Sequence, residues 1–115
     1  MSLPENLPHL CDIQVSVIRE EDAGGDYDEP ELQQSDVSCW IQPASATEQN
    51  RFMRREQRIT HMVYFLGNPG LTPGHILLPT TGPEAGETLW VRSSAETTAG
   101  LGLLWGVACE KVQPR

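Results

Sequence analysis

Residues 58–67, RITHMVYFLG, carry the strongest strand signal in the chain. Two sets of side chains alternate here with the two-residue period of a β-strand. They are Ile59, His61, Val63 and Phe65 on one side, and Thr60, Met62, Tyr64 and Leu66 on the other. Both sets are largely apolar, so we expect this strand to be covered on both faces.

Five further segments resemble strands and are separated by turn residues. They are CDIQVSVIR (11–19), VSCWIQ (37–42), HILLP (75–79), TLWVRSS (88–94) and LLWGVACEKV (103–112). Ten glycines and nine prolines divide the 115 residues into short elements. The pattern predicts one all-β domain over residues 1–115, with residues 1–10 as an N-terminal arm. A sandwich fits this pattern, but a small closed barrel of about six antiparallel strands leaves no exposed sheet edge.

One short helix is predicted between the second and third strands. Ser45 is followed three residues later by Glu48, which is the pattern of a capping box. We predict a helix over about residues 46–56, with Phe52 and Met53 anchoring it to the core.

Half of the basic residues lie in or directly after this helix. The chain has a formal net charge of −8 and only eight Lys and Arg residues. Four of these are Arg51, Arg54, Arg55 and Arg58, spaced so that most would share a helical face. A solvated face is one interpretation. The other is a partner-binding surface, because the planar guanidinium group binds carboxylates with two hydrogen bonds.

Acidic residues are concentrated in a different segment. Residues 20–36 contain eight Asp and Glu side chains, a Gly-Gly pair and one proline. Such a stretch has little to bury and repels itself, so we predict a long, flexible acidic loop. The alternative is the solvated tip of a hairpin.

Several classes of function lack their sequence signals. No phosphate-binding glycine loop, nucleophile elbow or Cys-His catalytic motif is present, so we expect no enzymatic activity and no cofactor. Cys11, Cys39 and Cys109 lie in apolar segments and are predicted to be buried free thiols. His9 and Cys11 form a single local pair, which is too few ligands for a metal site. The chain starts MSLPENLPHL and has no apolar run of ~20 residues, so we expect neither a signal peptide nor a membrane span.

The order of the pieces over residues 37–110 resembles the head-completion, or head–tail connector, proteins of tailed bacteriophages. A Cys-Trp strand end precedes a short helix with Glu and Arg, followed by THMVYF, a Pro-Gly turn before HILL, and the pair LWVRSS and AGLGLLW. The matching residues are Cys39, Trp40, Pro43, Arg54, Arg55, Arg58, Thr60, His61, Val63, Tyr64, Phe65, Pro73, Gly74, Val91, Arg92 and Trp105. His75 stands where this family usually has a charged residue.

The resemblance implies a structural protein of the virion neck, found in the host cytoplasm during assembly. Copies would form a homo-oligomeric ring, a hexamer or dodecamer, between the portal or adaptor ring and the tail proteins. DNA would pass through the channel without sequence-specific binding. The acidic segment would then be a lumen or gating loop, through Glu20, Glu21, Asp22, Asp26, Asp28, Glu29 and Glu31.

The isolated chain is expected to be a monomer or weak oligomer that forms rings on its neighbour. Two other functions remain open at this stage. One is a cellular barrel that binds oligonucleotides or proteins, and the other is a different phage tube component, such as a tail terminator.

Overall fold

The structure is a computed structural model that describes residues 7–21, 25–97 and 104–111; for residues 16–21 and 25–30 it describes the backbone only. Seven strands and one helix follow one another along these residues. They are β1 (His9–Glu21), β2 (Gly25–Pro43), α1 (Ala46–Met53), β3 (His61–Leu66), β4 (His75–Pro79), β5 (Leu89–Val91), β6 (Glu96–Thr97) and β7 (Leu104–Lys111).

Six of the strands close into an antiparallel barrel. The hydrogen-bonded order is β3-β2-β1-β4-β5-β7, and pairing of β7 with β3 closes the ring. The short β6 pairs with β7 beyond the end of β5 and is an extra strand. The predicted all-β fold, the closed six-stranded barrel and the short helix are therefore confirmed, whereas β6 lies in a segment predicted to be a connection.

The barrel interior is filled by the alternate residues that the sequence pattern indicates. Val63 and Phe65 of β3 point inward, while Trp40 of β2 lies outside and is 41% exposed. The interior cluster consists of Cys11, Ile13, Cys39, Ile41, Val63, Phe65, Leu71, Leu77, Leu89, Val91, Val107 and Cys109. All three cysteines are buried and unpaired, as predicted.

Helix α1 covers the outside of the barrel wall. Phe52 is 2% exposed and packs in a second cluster with Met62 of β3 and Ala108 of β7. This explains why both faces of β3 are apolar. Met53 was predicted to share the anchoring role, but it is 60% exposed. Successive helical side chains point about 100° apart, so a helix anchored by Phe52 turns Met53 toward solvent.

The helix ends earlier than predicted, at Met53 instead of residue 56. Glu56 N–H donates to the Met53 carbonyl at 2.9 Å, and Gln57 N–H donates to the Phe52 carbonyl at 3.0 Å. This pair of bonds is the Schellman ending of a helix, which needs a left-handed residue. Glu56 occupies that position with φ 59°. Sequence patterns miss such an ending because glycine usually marks it.

Replacing Glu56 by glycine is expected to stabilise the protein. Glycine adopts the left-handed region without the steric cost that a Cβ atom imposes, so we expect the free energy of unfolding to rise by about 0.5–1 kcal/mol. Urea unfolding followed by circular dichroism measures this change. Glu56→Ala keeps the Cβ atom and serves as the control. Equal stability of the two variants would contradict the explanation.

The prediction of a long acidic loop is wrong for the residues that the structure describes, because they form paired strands. Residues 16–21 of β1 pair with residues 25–30 of β2 in a two-stranded extension, here called the acidic ribbon. It contains six residue pairs, which corresponds to roughly 20 Å of strand. The hairpin alternative is the one observed, because paired strands satisfy backbone groups that a loop would leave to water. Asp22 lies outside the described residues.

An irregular pairing marks the base of the ribbon. Asp36 has φ 54°, and its N–H donates to the Asp12 carboxylate at 3.1 Å. The register shifts on both sides of Ile13. Bulges of this kind bend and twist a strand, and here they lie within the part of β1 that still pairs with β4, a few residues before the ribbon begins. At the other end of β1, part of the predicted arm belongs to the fold: Leu7 is buried, and the strand begins at His9. No helix in the described residues is long and apolar enough to cross a membrane.

Candidate functional site

The four predicted arginines lie on the outer wall formed by β3, β5 and β7. Only Arg51 belongs to the helix, since Arg54 caps its end and Arg55 and Arg58 follow it. The prediction that most of them share a helical face is therefore wrong. All four are exposed nonetheless. The buried Phe52 ring supports two of them, with the guanidinium carbons of Arg51 and Arg55 at 4.9 and 5.3 Å from its centroid.

Among these four, Arg55 alone has an acidic partner in the described residues. Its guanidinium lies 3.1 Å from the Glu96 carboxylate, and both side chains are half exposed. Arg51, Arg54 and Arg58 form no ion pair in the described part of the chain, and we call these three the arginine surface. Their charges are available to a partner.

The hydroxyl of Tyr64 donates to Glu48 at 3.2 Å beneath the helix, which ties the helix to β3. Burial and the adjacent Glu48 carboxylate raise the pKa of Tyr64, so that it stays a neutral donor.

A groove of 440 Å³ lies beside Arg58 and contains a tryptophan. Trp90 of β5 is 36% exposed, and the Arg92 guanidinium lies 6.0 Å from its ring centroid. Glu110 accepts hydrogen bonds from Arg92 Nε at 3.0 Å and Nη2 at 2.6 Å. Pro73 forms part of the opposite side.

Gln57 also lines this groove. Its Nε2 donates to the Arg92 carbonyl at 2.8 Å, while its buried Oε1 has no hydrogen-bond partner among the residues that the structure describes. The sequence analysis did not predict this groove. Part of the signal was present: Trp90 and Arg92 are two residues apart on a strand and therefore share a face. Their proximity to Arg58 depends on the turn after α1, which the sequence does not reveal.

The acidic candidates lie on β1 and β2, on different elements from the arginines. Glu20 and Glu21 belong to β1, and Asp26, Asp28, Glu29 and Glu31 belong to β2. In the barrel order, β1 is three strands away from β7 in either direction, but β2 pairs directly with β3. The structure thus places the two charged groups on different elements of the fold. A lumen or gating role for the acidic residues stays a prediction.

A buried polar network joins the start of β3 to the end of β7. His61 is 6% exposed; its Nδ1 lies 2.8 Å from the Thr60 hydroxyl and its Nε2 lies 3.1 Å from Glu84. Lys111 Nζ reaches Glu84 at 3.4 Å, and the Lys111 N–H donates to the Thr60 hydroxyl at 2.7 Å. Thr, His and Glu in this order resemble a hydrolytic triad. However, the hydroxyl is occupied by a backbone donor and the imidazole is covered, so the arrangement fits a structural link.

The charges in this network reinforce one another. Burial alone would raise the pKa of Glu84, but the hydrogen bonds and electrostatic interactions with His61 and Lys111 outweigh it, so that the pKa lies below its usual value. The carboxylate is therefore ionised at neutral pH. Among the described residues, no group of three or more His, Cys, Asp or Glu side chains is arranged to hold a metal ion.

Comparison with known proteins adds a fold relationship. No protein-family model and no curated protein matches this chain. The fold is similar to the solution structure of protein SF1141 from Shigella flexneri 2a, a structural-genomics target, with a TM-score of 0.76. The match covers 92% of this chain and 93% of that one at 15% sequence identity. At this identity the likeness concerns the fold alone.

Proposed function

We propose that this protein is a structural component of the neck of a tailed phage, forming a ring that joins the portal or adaptor to the tail and closes the DNA-filled head. The observation that carries the proposal is the arginine surface: three exposed guanidinium groups without acidic partners in the described residues of a chain with net charge −8. Exposed charge of this kind suits docking to an acidic protein surface.

Two other features support a structural role. The closed barrel hides its sheet edges, which suits a subunit that must pack beside copies of itself without uncontrolled strand pairing. The negative net charge of −8 suits a DNA exit path, because an acidic lining repels phosphates and keeps DNA from binding. The resemblance over residues 37–110 points to the same class of protein.

Reversing the arginine charges is expected to abolish attachment of the ring. The variant carries Arg51→Glu, Arg54→Glu and Arg58→Glu, and it is added to portal–adaptor complexes in a neck-assembly assay. Exposed side chains contribute little to folding, so circular dichroism should match the wild type while attachment falls at least about tenfold. Lys at the same three positions preserves the charge and is the control. Normal attachment of the Glu variant would show that the arginines form a solvated face and do not bind the partner.

A second candidate is a barrel that binds single-stranded nucleic acid, favoured by the groove with Trp90 between Arg58 and Arg92. Stacking on an exposed aromatic ring beside basic residues is the usual mode of such binding. Glu56 and Glu110 line the same groove and offset its two positive charges, so this function ranks lower. Titration of tryptophan fluorescence with oligo-dT decides between the two: we expect no saturable quenching, whereas quenching weakened by Arg58→Ala would favour nucleic acid.

A further inference from the structure

We propose that the arginine surface of one copy binds the acidic ribbon of a second copy, so that the chain associates head to tail. This inference names the partner of the site described above, and its role in a neck ring rests on the proposed function. The association itself is a property of the chain alone.

The positions of the two surfaces favour contact between copies. The arginine surface lies on the wall of β3, β5 and β7, whereas the acidic ribbon continues β1 and β2 past the barrel. The two surfaces are therefore different patches of the subunit. Contact between two different patches forms a heterologous interface, which produces closed rings or open filaments.

The register of the ribbon places its acidic residues together. Glu20 pairs opposite Asp26 and Ile18 opposite Asp28, which puts three acidic residues on one face. The one basic residue of the ribbon, Arg19, pairs opposite Tyr27 and belongs to the other face. Like charges directly opposite each other destabilise a sheet. Guanidinium groups from a second copy would relieve that repulsion.

The groove beside Arg58 adds an apolar contact to the ion pairs. Exposed ion pairs are individually weak and are screened by salt. Tryptophan and arginine are enriched among the residues that dominate binding at protein interfaces. Trp90 lies in the groove that Arg58 lines, and because Glu56 and Glu110 offset the positive charges there, the groove offers a second copy an apolar contact beside the arginine surface.

The test is sedimentation equilibrium of the full chain at about 0.05 M and about 0.5 M salt. We expect the average mass of the wild type to rise with protein concentration at low salt and to return to the monomer mass at high salt. A wild type that stays monomeric at all concentrations at low salt would overturn the proposal.

Paired charge reversals then identify the surfaces. Arg54→Glu with Arg58→Glu gives one variant, and Asp26→Lys with Asp28→Lys gives the other. Each alone should associate at least about tenfold more weakly than the wild type, because like charges now face each other. An equal mixture of the two restores opposite charges at every contact and should regain association. A mixture that remains monomeric would show that these surfaces do not meet.

A second pair of variants separates local charge from net charge. Arg54→Gln with Arg58→Gln lowers the net charge by two, and Thr80→Glu with Ala85→Glu lowers it by the same amount at exposed positions outside the proposed contact. Only the first pair should weaken association, and equal weakening by both would contradict a specific contact. If association behaves as expected but the ring fails to attach to an adaptor, the neck function is wrong and the self-association stands.

Discussion

Phe52→Ala is expected to lower the free energy of unfolding by about 3–5 kcal/mol, the largest effect of any single change considered. Phe52 is 2% exposed and fills the space between α1 and the outer wall, against Met62 and Ala108. Alanine would leave a cavity that the strands, fixed by their pairing, cannot close. Denaturant unfolding followed by tryptophan fluorescence gives the value.

Met53→Ala is the matched control, since it is the next residue of the same helix and 60% exposed. Its expected effect is within about 0.5 kcal/mol. The Phe52 ring also supports Arg51 and Arg55, so Phe52→Ala should disturb the arginine surface as well as stability. If Phe52→Ala costs less than about 1 kcal/mol, the helix contributes little to the fold.

Glu84→Ala is expected to cost about 1–3 kcal/mol, because it leaves the covered imidazole of His61 and the ammonium of Lys111 without their shared acceptor. Glu87→Ala, on the same connection, is the control and should have little effect. If Glu84→Ala lowers the free energy of unfolding no more than Glu87→Ala does, water fully replaces the Glu84 carboxylate as the acceptor.

The same network predicts a dependence of stability on acid. The pKa of Glu84 is lower in the folded protein than its usual value of about 4.3, so the carboxylate stabilises the fold above that pH. This contribution is lost as the pH falls through the folded pKa. Unfolding measured between about pH 6 and pH 3 should therefore show a loss of stability that is smaller in Glu84→Gln. Identical profiles would contradict the assignment.

The sequence predicts the barrel well because side chains alternate between the two faces of each strand with a two-residue period. In β3, alternating residues are apolar on both sides, and the structure shows one side in the barrel and Met62 beneath the helix. The capping box at Ser45 and Glu48 likewise fixes where α1 begins. These features depend only on neighbouring residues.

The remaining features depend on residues that are distant in sequence or on unusual backbone angles. Glu56 and Asp36 adopt left-handed conformations, which glycine usually occupies, so their residue types do not indicate these backbone angles. The acidic segment has the composition of a loop but pairs as strands, since composition does not record which backbone partner is available. The groove at Trp90 requires the turn after α1 to meet β5, and no local pattern reports that contact.

The three buried thiols report how often the barrel opens. Cys11, Cys39 and Cys109 have no exposed surface, and burial with mutual proximity raises the pKa of Cys11 and Cys109. A thiol reagent can reach them only while the wall is open, so the modification rate counts opening events. Cys11 and Cys39 lie on paired strands, whereas Cys109 lies on β7 across the ring. The order in which they become modified would show which seam of the barrel parts first.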